Sequence, residues 1–166
     1  INSRKILDAT CSYAGIEDSR KIEALRSLDK IDKIGVHGIA EELKQKGFPD
    51  DYVGKLLEFT QFKGRPDEVL SHVSRKLSSY EKAADGVKEL EEIVRILEEI
   101  GVDEKSYSID LSLARGLDYY TGPVYEIAVT EPKIGSLSGG GRYDNLIGSL
   151  AGIDTPATGI SFGLER

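Results

Sequence analysis

The sequence predicts an α+β fold in which a long helical part precedes a small antiparallel sheet. In residues 1–105, lysine, glutamate, leucine and isoleucine predominate, and the apolar residues recur at the spacing of amphipathic helices. Residues 106–166 contain ten of the 18 glycines and five of the eight tyrosines, and their apolar residues occur in short runs between turn signals. We therefore place the change from helices to strands near residues 101–106.

Capping residues, glycines and prolines divide the helical part. Asn2 is expected to cap a first helix that ends at Gly15, and Asp18 is expected to begin a second helix. Further helices, separated by glycine or proline, are predicted over residues 35–46, 50–60, 67–77 and 80–100. The longest of them is expected to bury Ile100 at its end.

Short strands joined by tight turns indicate that the sheet is antiparallel. The predicted strands cover residues 106–111, 124–130, 137–141 and 157–162, with a short helix over residues 143–150. The glycines and tyrosines that carry the functional signal therefore lie on or beside strands.

Composition and charge exclude several classes of protein. A hydrophobic fraction of 39% and a charged fraction of 31% are typical of a globular protein, and no apolar run approaches the roughly 20 residues of a transmembrane helix. No secretory signal opens the chain, so we expect a cytoplasmic location and no membrane partner. The formal charge of −7 argues against a surface that follows nucleic acid throughout, but it leaves a local basic stripe open.

Side chains that bind metals are scarce. Cys11 is the single cysteine, and His37 and His72 are the only histidines. Their spacing matches no zinc site, and a single cysteine forms no internal disulfide. We therefore predict no metal held by a side-chain cluster.

The segment over residues 113–122 carries the strongest functional signal. It places Arg115 and the adjacent Tyr119 and Tyr120 just before a predicted strand. A guanidinium offers a rigid fork of donors to a phosphate or a carboxylate, and tyrosine rings offer flat walls with a polar tip. These residue types together predict a substrate pocket.

Two glycine-rich segments follow. The glycine run over residues 139–141 leads into Arg142 and Tyr143, and the chain ends in a segment that contains Gly159 and Gly163. Glycine removes the Cβ atom, so that the backbone is able to approach a ligand closely. Both segments are candidate ligand-binding strands.

Each segment also has a structural interpretation. Arg115 is able to pair with Asp118 or Glu126 at the surface, and the two tyrosines are able to serve as strand-edge aromatics. The glycine run has the composition of a flexible turn, and Arg142 is able to hold Asp144 in place of a ligand.

Residues 113–122 resemble the histidine-specific signature of the histidyl-tRNA synthetases, a family of class II aminoacyl-tRNA synthetases. Residues 138–146 resemble the second, glycine-rich histidine motif of that family, and residues 159–166 resemble class II motif 3. Three motifs in the family's order are far more specific than any one of them. They favour the functional interpretation of all three segments.

The resemblance implies an architecture. It implies part of a class II synthetase antiparallel sheet with flanking helices, plus an all-helical insertion domain. Residues 1–17 would form a catalytic-domain helix, residues 18–105 the helical insertion domain and residues 106–166 the catalytic-domain sheet with its motifs. Motifs 1 and 2 and the anticodon-binding domain have no counterpart in the sequence, so we expect a fragment, inactive by itself, of a homodimeric protein.

The resemblance also implies an activity, a histidine–tRNA ligase. Such an enzyme uses ATP, with Mg²⁺, to convert histidine to histidyl-adenylate, and then transfers the histidyl group to tRNA(His). Arg115 is the implied catalytic residue at the α-phosphate. The implied histidine-binding residues are Arg115, Tyr119, Tyr120, Gly139, Gly140, Gly141 and Tyr143, and the implied ATP-binding residues are Gly159, Gly163, Glu165 and Arg166.

In the family, the helical insertion resembles an arm over the tRNA acceptor stem. The candidate basic contacts are Lys44, Lys46, Lys55, Lys63, Arg65, Arg75 and Lys76, and ordinary solvated charge is the alternative. A regulatory or tRNA-sensing domain of the same fold without ligase activity is the alternative function. The presence of the arginine, both tyrosines, the glycine run and the closing Glu-Arg favours the enzyme.

Overall fold

The computed structural model describes residues 1–115, 119–129, 131 and 135–163. Its elements in chain order are β1 (Asn2–Ser3), α1 (Arg4–Tyr13), α2 (Asp18–Leu28), α3 (Ile31–Gln45), α4 (Asp50–Thr60), α5 (Pro66–Lys76), α6 (Glu81–Glu99), a 3₁₀ helix (Glu104–Ser106), β2 (Pro123–Ala128), β3 (Ser136–Tyr143), α7 (Leu146–Ala151) and β4 (Ala157–Phe162). The predicted α+β class is confirmed, but the two-residue strand β1, which was not predicted, precedes the helices.

The four strands form one sheet in the order β1-β2-β3-β4, and each neighbouring pair is antiparallel. Strand β4 has the predicted bounds, and β3 extends beyond the predicted strand at both ends. The antiparallel sheet with flanking helices is therefore confirmed.

Helix α1 lies between the two hydrophobic clusters of the described residues. Leu7 and Cys11 pack with residues of α2, α3 and α4, whereas Ile6 and Ala9 pack with residues of α5 and α6. Burial of one large aliphatic side chain contributes about 1.5–3 kcal/mol, so this two-sided packing makes α1 the centre of the helical part. Burial also raises the pKa of the Cys11 thiol to about 12, which keeps it protonated and unreactive.

The first helix begins one residue later than predicted. Asn2 is not the cap, because it lies in β1 and pairs with Val124 of β2. The cap is Ser3, whose side chain accepts a hydrogen bond from the Lys5 N–H at 3.3 Å. The buried Asn2 amide donates to the carbonyl oxygen of Leu113 at 3.1 Å. This bond ties the sheet to the segment that leads into Arg115.

The strand predicted over residues 106–111 is wrong. Ile109 and Leu111 are buried, as the alternation requires, but they pack into the helical cluster of α5 and α6. The backbone of Ile1 bonds to this segment twice: its amino group donates to the Ser108 carbonyl at 2.8 Å, and its carbonyl accepts from the Asp110 N–H at 2.9 Å. Hydrogen bonds to this single residue do not make residues 106–111 a strand of the sheet.

Two helix predictions also need correction. Helix α3 begins at Ile31, before the predicted start, and bends at Gly35, whose φ of 68° favours glycine. Ile100 is 69% exposed, because the fully buried positions of α6 end at Leu90. Among the described residues, no helix has both the length and the apolar character to cross a membrane.

Candidate active site

The sheet register places most of the candidate residues on one face. Gly139 lies between Glu126 on β2 and Ser161 on β4, and Gly141 lies between Val124 and Gly159. Residues two apart on a strand point to the same side. We call this side, which carries Glu126, Gly139, Gly141, Tyr143, Gly159 and Ser161, the site face.

Arg115 lies over the site face and contacts Glu126. Its Nε forms an ion pair with Glu126 Oε2, and its Nη2 donates to Glu126 Oε1 at 3.1 Å. A Cβ atom on Gly139 would lie 3.8 Å from Arg115 Cδ, so the arginine stem crosses β3 at that glycine. Glu126 was one of the two predicted surface partners of Arg115, and the other, Asp118, lies outside the described residues.

Three tyrosine rings gather at the neighbouring glycines of the site face. The ring centroids of Tyr119 and Tyr120 are 4.5 Å apart, and each lies 6.3 Å from that of Tyr143. A Cβ atom on Gly141 would lie 2.9 Å from the Tyr120 ring, and one on Gly159 would lie 3.3 Å from ring atoms of Tyr143. These two glycines therefore make room for the aromatic rings.

Tyr120 is held in its neutral form. Burial, followed by a hydrogen bond with Tyr119, raises the pKa of the Tyr120 hydroxyl above its ordinary value. A neutral phenol both donates and accepts a hydrogen bond. Tyr120 is therefore suited to a ligand with a nitrogen that is either donor or acceptor.

Gly140 faces the opposite side of the sheet. A Cβ atom there would lie 2.7 Å from the Tyr125 ring and would collide with the Gly159 carbonyl. The Tyr125 hydroxyl donates to that same carbonyl oxygen at 2.8 Å, so the ring crosses β3 and fastens β4 to β2. The geometry gives Gly140 a packing role, and its histidine-binding role stays a prediction.

A polar network fastens the tyrosine segment to the end of β3. Arg142 Nε donates to Asp144 at 2.9 Å, and Thr121 Oγ1 donates to the other oxygen of Asp144 at 2.9 Å. Desolvation opposes ionisation of Asp144, but the hydrogen bonds from Arg142 and Thr121 outweigh it and lower the pKa of that carboxyl. Arg142 thus pairs with Asp144, as the structural interpretation of Arg142 predicted.

Two clefts border these residues. A cleft of about 780 Å³ is lined by Tyr119 and Tyr120 together with residues of α1, α6 and α7. A smaller cleft of about 240 Å³ contains Arg115 and Glu126. Small-molecule sites commonly have volumes of about 300–1,000 Å³, so the tyrosine side has room for a ligand.

The predicted nucleotide-binding residues are placed in part. Gly159 lies on the site face, and the Gly163 N–H donates to the Leu137 carbonyl at 2.8 Å, just beyond β4. Glu165 and Arg166 lie outside the described residues. Within the described part of the chain, no three histidine, cysteine or carboxylate side chains converge on one point, so these residues do not make up a protein-held metal site.

Sequence reasoning missed two residues that build this site. Glu126 was considered only as a surface partner of Arg115, although it occupies a site-face position on β2. Asn2 was assigned to a helix cap, although its side chain anchors the Arg115 segment. The alternation of β2 is a signal for Glu126, whereas the bond of Asn2 joins residues 111 positions apart and leaves no local pattern.

Most basic candidates for RNA contact have acidic partners. Six of the seven lie within 3.8 Å of a carboxylate oxygen: Lys44 with Asp50, Lys46 with Glu42, Lys55 with Asp51, Lys63 with Asp110, Arg65 with Glu104 and Lys76 with Glu58. Such exposed pairs are typical of a solvated protein surface. The assigned contacts with tRNA stay a prediction.

A family model described as "Histidyl-tRNA synthetase" matches residues 1–166. The chain belongs to the histidyl-tRNA synthetase family. The histidine–tRNA ligase of Aeropyrum pernix is 48% identical to this chain over 141 residues, which are 85% of the chain and 31% of that relative. The histidine–tRNA ligase of Clostridium tetani is 41% identical over 167 residues, which cover 100% of the chain and 38% of that relative.

The fold agrees with this membership. The crystal structure of histidyl-tRNA synthetase from Nostoc sp. PCC 7120 superposes on this chain with a TM-score of 0.89 and 35% identity, covering 98% of the chain and 39% of that protein. The resemblance inferred from the three motifs is confirmed. The chain spans about a third of the length of the curated relatives named above.

Proposed function

We propose that this chain is the part of a histidine–tRNA ligase that binds histidine and the α-phosphate of ATP. The complete enzyme activates histidine to histidyl-adenylate and transfers the histidyl group to tRNA(His). One observation carries the proposal: Arg115, Tyr120 and Tyr143 lie on the same face of the sheet, over strands cleared by glycines. A cation for a phosphate and polar rings for an imidazole are thus next to each other.

Adenylation is a transfer at phosphorus. The histidine carboxylate attacks the α-phosphorus of ATP, a new P–O bond forms, and the bond to pyrophosphate breaks in line. Negative charge is spread over the α-phosphate oxygens, and a cation that is already oriented stabilises it without solvent reorganisation. Arg115 is that cation. Mg²⁺ would bind together with the ATP substrate, and the roles proposed for the residues of this chain do not include Mg²⁺ coordination.

The tyrosines define the histidine side-chain pocket. The neutral hydroxyl of Tyr120 bonds to one imidazole nitrogen, and Tyr143 closes the pocket from β3. A pocket that pairs polar groups with a substrate nitrogen discriminates strongly, because an analogue without that nitrogen leaves the polar groups unpaired. The residues proposed to bind ATP are Gly159, Gly163, Glu165 and Arg166. The glycines proposed to lie against histidine are Gly139, Gly140 and Gly141.

The proposal extends to the assembly. Residues 18–105 form the insertion domain that leans over the acceptor stem of tRNA(His), residues 1–17 and 106–166 belong to the catalytic domain, and the intact protein is a cytoplasmic homodimer. The packing of α2, α4 and α6 against α1 supports a fixed attachment of the helical part to the sheet. Because most of its candidate lysines and arginines are ion-paired, we expect the insertion domain to contact tRNA over a small area.

Histidine-dependent pyrophosphate exchange by the full-length protein tests the function. Arg115→Ala is expected to lower the exchange rate about 10²- to 10³-fold, as the loss of one preorganised donor to a developing oxyanion does. Histidine binding, measured by calorimetry, is expected to change much less, because the arginine acts on the transition state.

Arg95→Ala is the matched control, since Arg95 forms an exposed ion pair with Glu99 on α6. The control variant should exchange at the wild-type rate. Near-normal exchange in Arg115→Ala would remove Arg115 from the mechanism. Absence of exchange in the full-length wild-type protein would instead favour a regulatory or tRNA-sensing domain.

A further inference from the structure

Glu126 occupies the centre of the site face and meets the guanidinium of Arg115 at two points. One carboxylate oxygen pairs with Nε, and the other accepts a hydrogen bond from Nη2 at 3.1 Å. A two-point contact between these planar groups sets the orientation of the guanidinium as well as its position. The pair leaves Nη1 outside the contact and directed away from Glu126.

The surroundings make Glu126 the fixed partner. Its side chain is 16% exposed, whereas the Arg115 side chain is 46% exposed. Glu126 is placed by the β2 strand and faces Gly139 across the β2–β3 pair, where no side chain competes for the space. Residues 113–115 belong to no helix or strand, and the contact with Glu126 gives the Arg115 side chain a fixed partner.

We propose that Glu126 is a positioning residue for the adenylation step, which holds the Arg115 guanidinium in the orientation that receives the α-phosphate. The inference rests on the proposed function of Arg115. An arginine oriented before substrate arrives loses less side-chain freedom in the transition state, and its unused donors face the phosphate from the start. The carboxylate touches no reacting atom and acts through Arg115 alone.

A competing geometry gives the opposite result. If Glu126 instead held Arg115 away from the phosphate, ATP would have to displace it, and removal of the carboxylate would lower the KM for ATP or raise kcat. If the pair only stabilised the fold, removal would lower the melting temperature and leave kcat unchanged. The two alternatives and the proposal therefore differ in measurable parameters.

The test uses Glu126→Gln and Glu126→Ala in the full-length protein, with pyrophosphate exchange measured over ranges of histidine and ATP. The expected result for Glu126→Gln is a fall in kcat of about 10- to 100-fold, the size of the effect when a reacting group is slightly misplaced. KM values for both substrates should stay within about twofold, since uniform binding is unchanged. Glu99→Gln, in the exposed pair with Arg95, is the matched control and should leave exchange unchanged.

A double-mutant cycle tests whether Glu126 acts through Arg115. Adding Glu126→Ala to Arg115→Ala should cost no further activity, because the group to be positioned is already gone. Additive losses, an unchanged kcat in Glu126→Gln, or a lower KM for ATP would each overturn the proposal. A normal rate in Arg115→Ala would remove Arg115 from the mechanism, and absence of exchange in the wild-type protein would overturn the proposed function itself, so these failures are distinguishable from a failure of the positioning role alone.

Discussion

The ring of Tyr120 packs on Gly141, where a Cβ atom would lie 2.9 Å from the ring carbons. The two residues come from different motifs, and the antiparallel pairing of β2 with β3 brings them together. A glycine is therefore needed at position 141 for a steric reason, because the ring occupies the space that a Cβ atom would take. The ring of Tyr120 has this packing role, whereas the role proposed for its hydroxyl is to recognise the imidazole.

Tyr120→Phe in the full-length protein should raise the KM for histidine about 2- to 10-fold, the effect of losing one hydrogen bond of about 0.5–1.5 kcal/mol. The KM for ATP should change little, because the proposed contact of the hydroxyl is with the imidazole only. Steady-state pyrophosphate exchange with each substrate varied gives both values. Tyr52→Phe, whose ring packs under Gly15, is the control. Equal losses for histidine and ATP would assign Tyr120 a structural role.

Gly139 and Gly140 are adjacent but differ in the space around them. Gly140→Ala should lower the free energy of unfolding by about 1–3 kcal/mol or more, because the new methyl group meets the Tyr125 ring and the Gly159 carbonyl. Gly139→Ala should cost much less, since its Cβ atom would meet the nearest atom at 3.6 Å. Urea denaturation of both variants measures the difference. Equal destabilisation would mean that the two faces of β3 are assigned wrongly.

The helices and the sheet follow from local patterns, which is why they were predictable. The predicted bounds of α4 and β4 match the observed ones to within a residue, because the apolar spacing and the flanking glycines and prolines indicate the same bounds. The faces of the glycine run were not predictable, since three glycines carry no alternation. The contact of Arg115 with Glu126 also required the register of β2, which depends on contacts far along the chain.

Glu42 gives the helical part a pH dependence. Hydrogen bonds from Lys30, Lys46 and Ser27, the first of these the strongest, lower the pKa of the Glu42 carboxyl from 4.5 to about 2. A carboxyl with a lowered pKa in the folded state adds stability above its unfolded value, and this stability is lost as the pH falls from about 4.5 towards 2.

Glu42→Gln should therefore lower the melting temperature of the chain at pH 7 by a few degrees, since a partly exposed ion-pair network contributes on the order of 1 kcal/mol. The difference from wild type should shrink as the pH falls below about 4.5. Thermal unfolding followed by circular dichroism between pH 7 and pH 3 records it. The exposed neighbour provides the control variant Glu41→Gln. A difference that stays constant over this range would show that the network is unimportant in solution.

The 166-residue chain alone should form histidyl-adenylate far more slowly than the full-length protein. The chain spans about a third of its curated relatives, and the side chains of Arg115 and Tyr119 are each 46% exposed. Water at these residues weakens their interaction with a charged transition state, and substrates held from one side lose positioning that is worth several kcal/mol. Pyrophosphate exchange by the purified chain measures the rate, and the Arg115→Ala chain corrects for contaminating host enzyme. Exchange that depends on Arg115 and approaches the full-length rate would mean that this one face of the sheet is sufficient for adenylation.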